Sequence, residues 1–219
     1  MTPDYEKAAL KAAETLVKFH IDTAPVSPLP IFMRTPGVLV LSFSEISTQV
    51  GIAKRNVTRL FGLDNQDAVT SVYVDDGKLR YLVAYNQQLP YNMIQRALAR
   101  ELGHIILGHD DSVPEDIREV EARVFAKHLL CPRALIRTLQ EAGSILTVEA
   151  VGSVTGCYGR CQQYIRNIPG THVPAELNRQ IKEQFADYTQ NFIDYQSILI
   201  QRDTSPLADF GTFMEGYEE

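Results

Sequence analysis

Arg100, Glu101 and His104 interrupt the segment IQRALARELGHIILGH (residues 94–109), which is otherwise apolar around most of its circumference. Such a segment reads as a buried helix, and a buried helix carries Glu and His only where they are paired, because an unpaired polar group costs free energy away from water. Positions 100 and 104 lie about 6 Å apart along the helix axis and on one face, with Glu101 at the border of that face. This is the geometry of an HExxH helix. There, two histidines at i and i+4 hold zinc, and the glutamate between them takes a proton from the zinc-bound water, whose pKa the metal lowers to about 7. In this chain the first of the two histidine positions is Arg100. A guanidinium stays protonated at neutral pH and has no lone pair to offer a metal.

The text around these residues resembles the ImmA/IrrE family of zinc metallopeptidases. The family pattern HELGH, followed by apolar residues and often a further His, stands here as RELGHIILGH at residues 100–109. Its second helix, of the form E-A-x-x-F-A-x-x-L-L-x-P, is matched at every named position by residues 121–132, EARVFAKHLLCP. The resemblance is strong from Asn92 to Pro132, weaker before that, and absent beyond Gly170. It implies an α+β, minimal zincin-like fold, with a small three-stranded sheet packed on the RExxH helix and a helical extension behind it. It also implies Glu101 as the general base, His104 and Glu121 as zinc ligands, and zinc as cofactor. Characterised members cleave helix-turn-helix repressors and so switch on mobile-element or stress-response genes. The resemblance thus implies peptide-bond hydrolysis on a repressor protein.

Arg100 leaves two protein ligands where a catalytic zinc site normally has three. His109 is a poor substitute by helical projection, since five residues past His104 place it about 140° away around the axis. It reads instead as a solvated or capping histidine near a helix C-terminus. His128 lies two turns beyond Glu121, on the order of 10 Å away, and reads as a half-exposed helix residue. Arg100 is expected to take over the charge role of the metal, reaching Glu101 or Glu121 and neutralising a buried carboxylate. Two readings follow: a metallopeptidase of the ImmA/IrrE type, or a catalytically inactive relative that binds a repressor or antitoxin-like partner without cleaving it.

The elements that must position these residues are legible from pattern. A helix is expected over Tyr5 to Ile21, a strand over Val38–Phe43, and helix again over Ser44 to Phe61, with a possible break at Gly51. Val69–Val74 and Leu79–Tyr85 read as strands joined by the turn Asp75-Asp76-Gly77-Lys78. The RExxH helix runs from Tyr91 to Gly108. The next, Val113 to Leu130, carries a capping-box signature in Ser112 and Glu115. Helices are expected over Arg133–Ala142, Thr147–Thr155, Tyr158–Asn167 and Pro174–Tyr195. The organisation expected is a metallopeptidase-like domain over 1–135, a helix-turn-helix-like extension over 136–172, and a C-terminal helix with an acidic mobile tail over 173–219.

Composition bounds the rest. The 219 residues carry a net charge of −6, and the segment 203–219 holds five acids and no Lys or Arg, which leaves the body nearly neutral. Neither part has the clustered bases of a nucleic-acid surface, and residues 147–167 offer only Arg160 and Arg166. No apolar run approaches the roughly 20 residues of a membrane helix, and the N-terminus lacks the basic start and apolar block of a leader. Three cysteines, Cys131, Cys157 and Cys161, fit reduced thiols in the cytoplasm. On the last helix, Ile181, Phe185, Tyr188, Phe192 and Tyr195 form an apolar stripe suited to packing on the chain's own body or to a partner.

Overall fold

The computed structural model describes residues 2–53, 56–57, 59, 67–144, 147–156 and 171–203. The fold is α+β. It opens with α1 (Tyr5–Lys18), the short α2 (Leu29–Met33), strand β1 (Val38–Ser42) and α3 (Phe43–Val50). Strands β2 (Ala68–Asp75) and β3 (Lys78–Tyr85) follow, then α4 (Tyr91–Leu107) and α5 (Glu115–Leu130). The described remainder is helical: α6 (Arg133–Glu141), α7 (Val148–Thr155), α8 (Ala175–Gln184) and α9 (Ala186–Asp203). None of these helices is long and apolar enough to cross a membrane.

The sheet has three strands in the order β1-β3-β2. β1 runs parallel to β3, with Val38 opposite Tyr81 and Ser42 opposite Tyr85. β2 and β3 form an antiparallel hairpin from Ala68–Tyr85 to Asp75–Lys78. Its two-residue turn is Asp76-Gly77, with φ of 48° and 70°. Both signs are those of the mirror-image turns that match strand twist, which is why Asp-Gly is the strongest hairpin signal in the sequence. β2 is an edge strand, and Ala68 and Thr70, two apart on it, share one face.

One break stands where it was expected as possible and two boundaries differ from expectation, each for a local reason. The helix after β1 stops at Val50 because Gly51 adopts the left-handed conformation (φ 70°) and caps it. That helix also starts with a complete capping box, Ser42 with Glu45, whereas the one expected at Ser112 is absent. α5 begins behind Pro114 with no side-chain cap, and Ser112 bonds Asp110 instead. The long C-terminal helix is two helices, broken at Phe185, which is fully buried. The helix expected at Tyr158–Asn167, the cysteines Cys157 and Cys161, and the acidic tail beyond 203 lie outside the described residues.

One apolar core joins α1, α4, α5 and α6, with Leu16, Leu98, Leu102, Phe125, Leu129 and Leu135 almost wholly buried. Ile181 and Phe185 belong to the same core, and Tyr188 and Phe192 pack against it, while Tyr195 stays exposed. Most of the C-terminal stripe is therefore used on the chain's own body. A second, smaller cluster of Phe43, Ile46, Val57 and Ala84 fixes α3 to the sheet.

The contact that matters most for the site is at Gly103, where α4 and α5 nearly touch. A Cβ there would lie 3.1 Å from the Ala122 carbonyl oxygen, 3.1 Å from Phe125 Cδ1 and 3.2 Å from Ala122 Cα. Two of these three atoms are backbone and cannot rotate away. Gly103→Val should therefore destabilise the fold by about 1–3 kcal/mol, the usual cost of overpacking. Urea denaturation reads this directly, and an unchanged midpoint would mean the two helices part without penalty.

Candidate active site

α4 presents Arg100, Glu101 and His104 toward α5 and β2, and all three occupy one connected network. Arg100 donates to Glu101 Oε1 from Nη2 (2.7 Å) and from Nε (3.2 Å). Its Nη2 also donates to the Ala68 carbonyl on β2 (3.1 Å), and its Nη1 lies 3.6 Å from Glu119 Oε2. The second oxygen of Glu101 accepts from Thr70 Oγ1 at 2.7 Å. Glu101 is 4% exposed, so its charge is compensated almost entirely from within. Burial acts to lower the Arg100 pKa, but the adjacent Glu101, with Glu119 and Asp67 further off, outweighs it and holds the guanidinium more firmly protonated than usual. Of the two partners expected for Arg100, the geometry selects Glu101.

The α5 carboxylate that faces both position 100 and position 104 is Glu119. Its Oε1 lies 3.2 Å from His104 Nε2, and its Oε2 approaches Arg100 and, at 3.4 Å, Arg123. The hydrogen bond from His104 and the charge of Arg100 overcome burial and push the Glu119 carboxyl down to about 2. Glu121, expected as a third ligand, lies on the neighbouring stretch of the same helix. Its Oε1 accepts from the backbone N–H of Asp4 at 2.7 Å, and its Oε2 lies 3.0 Å from His109 Nε2.

His109 is where projection along a helix fails. α4 ends at Leu107, and Gly108 takes the left-handed conformation (φ 69°) as its C-cap. The chain reverses there instead of continuing around the helix. His109 therefore swings back so that its Nδ1 meets His104 Nδ1 at 3.0 Å, with the side chain 4% exposed rather than solvated. Burial lowers its pKa, and the nearby His104 and Lys7 add to that, against the pull of Glu121. Nor is His128 half-exposed: it is buried, and it belongs to a different part of the molecule.

Glu119 is ionised, so His104 Nε2 donates to it. Between the facing Nδ1 atoms of His104 and His109 one donates and the other accepts, a choice that follows the tautomers. Asp4, Thr70 and Ala68 carry no signal in the motif spacing. Glu119, two residues from Glu121, is open to confusion with it, and the further His of the family pattern points to His109, which helical projection sets aside.

This arrangement does not fit a zinc ion. The first ligand position is a cation without a lone pair, and the base is ion-paired to that cation. Among the described residues no group of three or more His, Cys, Asp or Glu side chains is disposed to hold a metal.

The comparisons with known proteins bear on the frame around this network. Residues 54–149 match the family described as the IrrE N-terminal-like domain. The match supports a metallopeptidase-like domain of the ImmA/IrrE family over this stretch. It takes in β2, β3, α4, α5 and α6, and so every member of the network except Asp4. No curated protein and no solved structure matches the chain. The family as a whole is zinc-dependent, so the departure at Arg100 is a property of this chain set against a shared scaffold.

Two outcomes test the network. Arg100→Met should cost about 1–3 kcal/mol by leaving the buried Glu101 charge underpaired, and combining it with Glu101→Gln should cost less than the two changes added. A double-mutant cycle by urea denaturation measures this, and strict additivity would contradict the pairing. Glu119 contributes stability that is full above its ordinary value of 4.5 and is lost as pH falls toward 2, because its carboxyl is depressed in the fold. The stability gap between the wild type and Glu119→Gln should shrink over that window, whereas a gap independent of pH would contradict the assignment.

Proposed function

We propose that the chain is a non-hydrolytic member of its family, which uses the peptidase scaffold to hold a helix-turn-helix repressor or antitoxin-like protein without cutting it. The observation that carries this reading is the Arg100–Glu101 pair. One ion pair, with both Nε and Nη2 on the same carboxylate oxygen, fills the first ligand position with a fixed cation and ties up the residue that would act as base. General-base catalysis needs a carboxylate free to take a proton from water, and hydrolysis of this type needs a metal to acidify that water. With both functions answered internally by Arg100, what remains at the surface is a polar patch. Arg100, His104 and Glu119 are each 19–28% exposed at the side chain, enough to touch a partner and not enough to move freely. The choice of a repressor as the partner rests on what the family's characterised members act on.

The enzyme reading has one specific observation in its favour. Glu119 faces positions 100 and 104 together, so a single change at position 100 would set a histidine beside His104 and Glu119. The decisive test is the zinc content of the purified native chain beside Arg100→His. Zinc well below one per chain in the native protein, and close to one per chain in Arg100→His, is expected. Near-stoichiometric zinc in the native chain would sink the proposal and restore the peptidase. Incubation with a cognate repressor adds a second reading, in which an intact complex supports the binding role and a cleaved repressor opposes it.

A further inference from the structure

A second cluster of basic groups lies away from the network, where α1, α5, α6 and α8 meet. It borders a small cavity of about 20 Å³, lined among others by Ala9, Ala13, His128, Arg133, Asn178 and Ile181. The space is small and opens partly to solvent. Two polar atoms here are buried with no hydrogen-bond partner: Nε2 of His128, a residue only 6% exposed, and Nη2 of Arg133. Buried donors are almost always satisfied, and an orphaned guanidinium N–H is among the costliest to leave open. Arg133 is also the first residue of α6, a nine-residue helix whose N-cap is Pro132 and which has no side-chain cap. Its leading N–H groups and the positive end of its dipole belong to the same corner.

The chemistry of the lining is one-sided. No carboxylate lines the cavity, and Arg133 has no ion-pair partner among the described residues. Asn178 donates from its amide nitrogen to the Val173 carbonyl. Burial depresses the His128 pKa to about 4, and the charges of Arg133 and Lys127 push it the same way, so the local potential is positive. With the proton of the neutral His128 ring placed on Nε2, both orphaned atoms are donors. A single-atom anion brings only acceptor capacity and offsets the field.

We propose that a chloride-sized monovalent anion binds in this cavity, held by Nη2 of Arg133, Nε2 of His128 and the N-terminus of α6. The location gives the ion a structural consequence. α5 and α6 belong to the family-matched stretch, whereas α1 and α8 lie outside it, and the anion sits where all four meet. α1 carries Asp4, whose N–H is bonded to Glu121, and His128 is on the same helix as Glu119 and Glu121. An occupied cavity therefore ties the added helices to the scaffold that carries the network.

The test uses the full chain. Crystals grown in sodium bromide and measured at the bromine absorption edge should show an anomalous peak within hydrogen-bonding reach of Arg133 Nη2 and His128 Nε2. In solution, sodium chloride should raise Tm by about 3–6 °C over sodium gluconate of equal ionic strength, the shift expected when a ligand is roughly tenfold above its Kd. Arg133→Gln should abolish that chloride-specific difference. A water in the cavity with no bromide signal, or equal Tm in the two salts, would overturn the proposal. Because the bromide measurement needs no substitution, it decides the question even where Arg133→Gln does not fold.

Discussion

α4 and α5 lie closer than side chains normally permit, and everything at the site is arranged around that approach. Gly103 is one residue before His104, and Ala122 one residue after Glu121, so the place where backbone meets backbone is also where the polar residues are forced together. With the helices held at this distance, Arg100 and His104 on one side face Glu119 on the other. Charges this close in a poorly solvated setting must be balanced locally, and each of them is. The network is thus a consequence of helix packing first and of chemistry second.

Within that constraint the arginine is a physical substitute for a divalent cation. It offers positive charge and directed donors, and Glu101 and Glu119 accept both. It cannot polarise water or accept electron density from a ligand. The carboxylates keep a cation, and that cation is covalently part of the chain. Thr70 and the Ala68 carbonyl, both on the edge strand β2, complete the coordination of this pair, so the sheet is as much a part of the site as the helices.

The segments outside the family-matched stretch are not passive additions. α1 shares the main core and delivers the Asp4 N–H to Glu121, closing the far end of the His104–His109–Glu121 chain. α8 places Ile181 in the same core, and Phe185, at the break behind it, is fully buried there. The cavity that holds His128 and Arg133 lies where these additions join the scaffold, which makes the join itself a place where chemistry and stability meet.

Local physics was legible in the sequence. The hairpin followed from Asp-Gly, the buried RExxH helix from its apolar circumference, and the loss of a metal ligand from the nature of a guanidinium. The pairing of Arg100 with a buried carboxylate followed from charge balance. Which carboxylate, and which histidine, did not follow. Glu119 and Glu121 are two residues apart on one helix, and only the rotation of α5 against α4 decides which faces His104. His109 was misplaced because a helical wheel assumes the helix continues, whereas Gly108 reverses the chain. The end of an element is set by backbone conformation, and the side-chain positions beyond it by what the reversed chain then meets. Spacing along a sequence fixes angles only while the helix lasts, and contacts between elements are fixed by how those elements pack.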